Sequence, residues 1–172
     1  MASLRIIIAG SGSVGKTSFL RRLKGKKFTE HLDFTVAYEE TSYSFLEHKI
    51  FILDVGGRTR FRKDRMGYYE EFNPDAVIFM FSLRGKNSLE VVDEFAEEIF
   101  SVIDQVPFIL VGSKADIWDE NVVPIKDISK LRKELTNLQS KITIKELPYL
   151  EISAKTGLNI KEVFPALIKI LE

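Results

Sequence analysis

The sequence predicts one α/β domain over residues 1–172, with a mostly parallel six-stranded sheet, one antiparallel edge strand, and helices on both faces. The length of 172 residues suits a single domain with a substantial core. Short apolar runs rich in Ile, Val and Phe alternate with segments of helical periodicity, the pattern of a doubly wound sheet. The runs that predict buried parallel strands are residues 4–9, 49–55, 76–82, 108–112 and 149–152.

The sixth strand is predicted over residues 39–45. There Thr41, Tyr43 and Phe45 alternate with the more polar Glu40, Ser42 and Ser44. Such alternation is typical of a strand with one solvated face. A short turn around Glu47 and His48 joins it to the following run, which predicts an antiparallel hairpin at the edge of the sheet.

Helices are predicted between the strands. Residues 88–103 carry apolar side chains at helical spacing, and Asn87 with Glu90 has the pattern of a helix start. A second apolar stripe follows Asp127. Asn159 is expected to open a last helix in which Pro165 removes a hydrogen bond and introduces a kink.

Composition limits the possible partners and anchors. The 25 basic and 25 acidic residues cancel, so the sequence gives no reason to expect nucleic-acid binding. The chain has no cysteine, and position 2 is Ala rather than Gly, so we expect no lipid anchor in this chain. We expect a cytoplasmic monomer that reaches a membrane only through partners.

The first chemical motif is G-S-G-S-V-G-K-T, from Gly10 to Thr17, which fits G-x-x-x-x-G-K-[ST] between a predicted strand and a predicted helix. Glycines allow successive backbone N–H groups to point at phosphate oxygens, and the helix N-terminus adds partial positive charge. Lys16 can reach the β- and γ-phosphates, and the Thr17 hydroxyl can bind Mg²⁺. The residues expected to contact the phosphates are Gly12, Ser13, Val14, Gly15, Lys16, Thr17 and Ser18.

The second motif is D-V-G-G at residues 54–57. Asp54 ends a predicted buried strand beside the phosphate loop, where its carboxylate can hold Mg²⁺ through water. The backbone N–H of Gly57 can meet the γ-phosphate. By itself this motif is also compatible with an ordinary turn after a strand.

Two further motifs follow later strands: S-K-A-D at residues 113–116 and S-A-K at residues 153–155. With all four motifs in this order, the sequence resembles the Ras/Rab/Arf superfamily of small GTPases over essentially its whole length. The resemblance implies a P-loop GTPase fold. D-V-G-G is more similar to the Arf and heterotrimeric Gα branches than to Ras and Rab, and no subfamily is assigned.

The resemblance implies that guanine is the base and that GTP/GDP and Mg²⁺ are the ligands. The Asp116 carboxylate would accept hydrogen bonds from guanine, Lys114 would pack along the base, and the Ala154 N–H would meet guanine O6; Ser153 and Lys155 complete that motif. Ser113 stands where the family usually has Asn or Thr. Its hydroxyl can replace part of that hydrogen bonding, so guanine preference should survive with weaker affinity.

Two loop residues complete the implied site. Phe28 lies where the family stacks an aromatic ring across the base. Thr35 lies where a threonine binds Mg²⁺ and the γ-phosphate in the GTP state, and Thr29 is the alternative for that role.

The catalytic group is the main departure from the family. Lys16, Gly57 and Arg58 are the candidate catalytic residues, but Arg58 occupies the position of the Gln that orients the attacking water. Arg has no acceptor for the water's proton. It could stabilise charge on the phosphates as an arginine finger, or belong to a basic surface with Arg60, Arg62, Lys63 and Arg65. We therefore expect slow intrinsic hydrolysis.

Residues 26–37 and 56–72 would touch the γ-phosphate and relax without it, which makes them the expected surfaces for effectors, exchange factors and GTPase-activating proteins. Two alternatives remain open: a GTP-binding interaction module that hardly hydrolyses GTP, and a P-loop ATPase or small-molecule kinase. S-K-A-D and S-A-K count against the second.

Overall fold

The computed structural model describes residues 2–30, 38–56, 62–117, 122–138 and 147–172. Within these ranges, six strands form one sheet: β1 (Ala2–Ala9), β2 (Tyr38–Phe45), β3 (His48–Val55), β4 (Ala76–Ser82), β5 (Phe108–Ser113) and β6 (Tyr149–Glu151). Their order is β2-β3-β1-β4-β5-β6; β2 runs antiparallel to β3, and the other neighbours are parallel. The predicted fold class is therefore confirmed, including the antiparallel edge strand.

The described residues also form five α-helices, of which the first four lie between strands and the last follows β6: α1 (Lys16–Leu23), α2 (Arg62–Phe72), α3 (Asn87–Val102), α4 (Ile125–Leu138) and α5 (Val163–Leu171). Successive residues of a strand face opposite sides of a sheet, so the isoleucines of β1 divide between two cores. Ile7 belongs to the core that also contains residues of α2, α3 and α4, whereas Ile6 and Ile8 belong to the core with α1 and α5. The sheet is thus covered on both faces.

Two details of the predicted helices are wrong. Asn87 does not precede α3 as its cap but is its first helical residue, following Lys86. Pro165 is the third residue of α5, which follows a short 3₁₀ turn at Ile160–Glu162. In the first turn of a helix a backbone N–H has no intrahelical partner, so proline is tolerated there and removes no bond from the helix interior.

Helix α2 is not among the helices predicted from the sequence. Its buried residues are Arg65, Tyr69 and Phe72, which have helical spacing but begin with a charged side chain. A search for apolar side chains at helical spacing does not find this helix, because one of its three buried residues is an arginine.

Candidate nucleotide-binding site

The segment between β1 and α1 forms a loop at the carboxyl edge of the sheet. A Cβ placed on Gly10 would lie 2.0 Å from the carbonyl oxygen of Met80 in β4, so only glycine fits there. Gly15 directly precedes α1 and has a φ of 99°, in the left-handed region that glycine adopts without strain. The first N–H groups of α1 therefore face this loop and supply the partial positive charge that favours a phosphate.

Lys16 is buried beneath the loop, and its Nζ donates to the carbonyl oxygens of Gly10 at 2.9 Å and Ser11 at 3.0 Å. Burial lowers the pKa of Lys16 to about 8. The Asp54 carboxylate opposes this shift, and the Arg65 guanidinium adds to it. The amine is thus held at the loop by two carbonyls, and the loss of water around it outweighs the favourable charge of Asp54.

Asp54 reaches the same edge because β3 runs parallel to β1, with Asp54 in register with Ile8. Its side chain is buried, and the Thr17 Oγ1 donates to Asp54 Oδ2 at 2.8 Å. A cavity of about 270 Å³ lies beside this pair, between α1 and β2. A hydroxyl and a carboxylate are the oxygen donors that Mg²⁺ takes together with phosphates and water, so these residues fit a magnesium ion.

The end of β5 is tied to the phosphate loop. The buried Ser113 hydroxyl donates to the carbonyl oxygen of Val14 at 2.5 Å. Ser113 thereby makes a hydrogen bond between the S-K-A-D segment and the loop that precedes α1, despite being shorter than the family's usual Asn.

Two hydrogen bonds join the S-K-A-D segment to Ser153 of S-A-K and to Ile152, the residue before it. The buried Ser153 hydroxyl donates to Asp116 Oδ1 at 2.5 Å, and the Ala115 N–H donates to the carbonyl oxygen of Ile152 at 3.0 Å. Ser153 Oγ in turn accepts from the Thr156 N–H at 3.1 Å. A carboxylate held in this way has a fixed direction, which recognition of a flat base requires. The sequence identified Ser153 as part of a motif but not as the partner of Asp116.

Comparison with known proteins agrees with this arrangement. The sequence profile of the Ras family matches residues 5–172. The Ras-related protein Rab-3D of Mus musculus is 31% identical over 172 residues, covering 97% of this chain and 73% of that protein. The Ras-related protein Ral-a of Drosophila melanogaster is 30% identical over 165 residues, covering 93% and 76%. The Ypt/Rab-type GTPase ypt7 of Schizosaccharomyces pombe is 27% identical over 176 residues, covering 97% and 81%.

The chain belongs to the Ras family. It is a member of the Ras/Rab/Arf superfamily of small GTPases, which are GTP-binding switches with GTP hydrolysis as their activity.

Some of the other residues expected at the nucleotide site are described by the structure, and some are not. Of the described ones, the exposed side chains or positions are Gly12, Ser13, Phe28, Thr29 and Lys155, with Phe28 36% exposed. The partly buried ones are Ser18, Lys114, Asp116 and Ala154. Burial lowers the pKa of Lys114; Arg84 adds to that shift, and Asp116 opposes it. Thr35, Gly57 and Arg58 lie outside the described residues.

Arg65 is not part of a basic surface, and that interpretation is wrong for this residue. Its side chain is 2% exposed and pairs with Glu98 of α3. The surface interpretation does hold for Arg62 and Lys63, which are exposed on α2.

The segments expected to contact regulators are partly described. In residues 62–72, Tyr69 and Phe72 are core residues, whereas Tyr68 is only partly buried and its ring lies 4.0 Å from that of Tyr38 in β2, measured between centroids. Within the described ranges, the helices of this Ras-family chain are too short or too polar to cross a bilayer.

Proposed function

We propose that residues 1–172 form one G domain that binds GTP and GDP with Mg²⁺ and hydrolyses GTP slowly. The observation that carries the proposal is the contact between Thr17 and Asp54 beside the buried Lys16. A hydroxyl, a carboxylate and an amine at the N-terminus of a helix match a phosphate group with its magnesium ion. Family membership supplies the guanine nucleotide.

In the proposed complex, the loop N–H groups of Gly12 to Lys16 and the first turn of α1 at Thr17 and Ser18 receive the phosphates. The Lys16 amine moves from the carbonyls of Gly10 and Ser11 to phosphate oxygens, which replaces two neutral acceptors by charged ones. Thr17, Asp54 and, in the GTP state, Thr35 hold the metal. Bound Mg²⁺ would neutralise charge that develops on the phosphates.

Guanine recognition is proposed for the loops after β5 and β6. Asp116, oriented by Ser153, accepts from guanine N1–H and the N2 amino group, while Lys114 and Phe28 pack on the two faces of the base. The Ala154 N–H donates to O6, and Ser113 holds the base loop against the phosphate loop. Adenine would leave the half-buried carboxylate without its donors, which is an energetically strong form of discrimination.

The slow hydrolysis follows from Arg58 in the position of the family's Gln. An arginine cannot accept a proton from the attacking water, so water orientation would be the missing function. Loss of the γ-phosphate would release Thr35 and Gly57, and residues 26–37 and 56–72 would then present different surfaces to effectors, exchange factors and activating proteins.

Nucleotide identity is the first test. The purified chain should carry guanine nucleotide, and GTP or GDP but not ATP should displace a fluorescent GDP analogue, with affinity falling when EDTA removes Mg²⁺. Asp54→Asn should remove most of the Mg²⁺ dependence, whereas a substitution at the exposed Lys133 should preserve it. Displacement by ATP at the same concentration would instead support the P-loop ATPase or kinase.

Single-turnover hydrolysis of GTP tests the role of Arg58. We expect Arg58→Gln to increase the rate at least about tenfold, a lower bound set below the roughly 10²- to 10⁴-fold attributed to one positioned acid–base group. An unchanged or lower rate in the variant would contradict the proposal. A wild-type chain that retains intact GTP through purification would support the non-hydrolysing interaction module.

A further inference from the structure

The charges of the chain balance overall but are unevenly distributed. Seven basic residues and no acidic residue precede Glu30, so the rest of the chain carries the compensating negative charge. Five of the seven lie at the end of α1 and directly after it, and they are referred to here as the α1 basic cluster: Arg21, Arg22, Lys24, Lys26 and Lys27. The three lysines are exposed, and the two arginines are partly buried. Such local density of one sign indicates contact with an anionic partner.

Backbone hydrogen bonds at the end of α1 hold the cluster in place. The N–H of Gly25 donates to the carbonyl oxygen of Arg22 at 3.0 Å, and the N–H of Lys26 donates to that of Arg21 at 3.0 Å. Gly25 has a φ of 75°, in the left-handed region, and together these bonds form the Schellman ending of a helix. The backbone that carries the cluster is therefore ordered before any partner arrives, which reduces the entropy lost on docking.

The side chains of the cluster spread around this helix end. Lys24 Nζ donates to a threonine hydroxyl of β2. Lys24 also lines the cavity between α1 and β2, together with Arg21 and Lys26. Arg22 extends to the other side of the helix, because a Cβ placed on Gly157 would lie 3.3 Å from its Nη2. The cluster therefore covers the surface from β2 to the loop after β6.

The cluster has few counter-charges. Within the part of the chain that the structure describes, none of its five side chains forms an ion pair with a carboxylate. By contrast, Arg62, Lys86 and Lys130 elsewhere pair with carboxylates at 3.0 to 3.6 Å. Glu39 and Asp54 line the same cavity as three residues of the cluster, but the proposed function assigns Asp54 to Mg²⁺. Most of the positive charge thus remains available to a partner.

The helix dipole explains only part of the cluster. Arg21 and Arg22 stand in the last turn of α1, where cations stabilise the partial negative charge of a helix C-terminus. Lys24, Lys26 and Lys27 lie beyond that turn. Lysine is depleted at protein–protein interfaces, whereas a cluster of about four to eight Lys and Arg residues is typical of surfaces that contact anionic lipid headgroups. The lysine content therefore favours a bilayer over a protein as the partner.

We propose that the α1 basic cluster docks this chain on the surface of anionic phospholipid bilayers. The attraction acts over about one Debye length, about 8 Å at physiological salt, and requires no shaped pocket. Each lysine or arginine near the surface strengthens binding about fivefold. Docking is independent of the proposed nucleotide chemistry, since no residue of the cluster is assigned to phosphate, metal or base.

Flotation of the purified full chain with vesicles tests the docking. We expect binding to phosphatidylcholine vesicles that contain about 30% phosphatidylserine, and no binding to pure phosphatidylcholine. Binding should be lost at about 1 M salt, where the Debye length is about 3 Å. Lys24→Gln, Lys26→Gln and Lys27→Gln combined in one variant should lower the partition coefficient about a hundredfold, the product of three losses of about fivefold.

A matched variant separates the cluster from net charge. Lys126→Gln, Lys130→Gln and Lys133→Gln together remove the same charge from exposed positions of α4, and they should lower the partition coefficient less than about threefold. Thermal unfolding checks both variants, and because all six lysines are exposed, each Tm should stay within about 5 °C of the wild type. If the first variant does not fold, Lys27→Gln alone carries the test, with an expected loss of about fivefold.

Docking through the cluster is contradicted if the wild type binds neutral and anionic vesicles equally, or if the two triple variants lose binding to the same extent. A folded wild-type chain that binds neither vesicle also contradicts it and leaves an acidic protein surface as the partner of the cluster. Displacement of the fluorescent GDP analogue is measured separately on the same protein, so a failure of the proposed nucleotide function is distinguishable from a failure of docking.

Discussion

Nucleotide binding should be coupled to proton uptake at Lys16 above neutral pH. Burial lowers the pKa of this lysine from 10.5 to about 8 in the nucleotide-free protein, despite Asp54 nearby. Phosphate oxygens beside the amine would favour its charged form and raise the pKa again. A chain whose Lys16 is neutral must therefore take up a proton when nucleotide binds, and affinity must fall as pH rises.

The size of the effect follows from the pKa of about 8. About a tenth of the free protein has a neutral Lys16 at pH 7, and about three quarters at pH 8.5, so uptake should rise from about 0.1 to about 0.8 proton. The dissociation constant should increase about fourfold over the same interval. Folding has a related dependence: burial of the ammonium costs about 3 kcal/mol below pH 8, and that cost is lost as pH rises to 10.5.

Calorimetry of GDP binding in buffers with different ionisation enthalpies measures the uptake directly. Measurements at pH 7 and 8.5 stay below the range where guanine itself releases much of its N1 proton. Lys133→Met, at an exposed position of α4, should show wild-type uptake. Lys16→Met should remove the uptake from whatever binding remains. Less than about 0.2 proton in the wild type at pH 8.5 would refute the assignment of the low pKa to Lys16.

Two further predictions concern the loop and the base. Gly10→Ala should lower the free energy of unfolding by at least about 3 kcal/mol in urea denaturation, because its Cβ would overlap the Met80 carbonyl. Gly12→Ala is the control: no described atom lies within 4 Å of its Cβ, so it should change that free energy by less than about 0.5 kcal/mol. Equal effects of the two substitutions would show that the loop moves aside. Asp116→Asn should weaken GDP binding about a hundredfold and favour xanthosine diphosphate, whose base carries a carbonyl where guanine has an amino group. Competition between the two nucleotides measures this change of preference. A variant that still prefers guanine would contradict the role of Asp116.

The central part of the sheet was predictable because strands such as β4 and β5 are buried along their whole length. A strand such as β4, whose seven residues are all buried, has a continuous apolar sequence that is hard to mistake for a loop. The placement of Lys16, Asp54 and Asp116 at one edge follows from the same pattern, since carboxyl ends of parallel strands meet at one side of a sheet. Motifs that directly follow parallel strands are therefore expected at one edge of the sheet, even though the sequence does not give the distances between their side chains.

The polar contacts that support those residues were not predictable in the same way. Ser153 and Asp116 are 37 residues apart, and their hydrogen bond depends on how closely the β5 and β6 loops approach. Nothing in the local sequence around either residue specifies that distance. The contact of Ser113 was also not predictable. Serine in place of the family's Asn predicts a weaker contact, but the Val14 carbonyl lies close enough to accept a hydrogen bond from this shorter side chain.

Arg65 shows the physical limit of predicting burial from residue type. A run with four other basic residues within eight positions favours a solvated surface, because an isolated buried charge is strongly unfavourable. The exception requires a partner, and Glu98 lies 33 residues away within an otherwise apolar stripe of α3. Burial of either charge alone in this apolar surrounding would be strongly unfavourable, and it becomes possible because the two charges pair with each other. A charge at an otherwise apolar position of a helix should therefore be read together with opposite charges at apolar positions of the helices that pack against it.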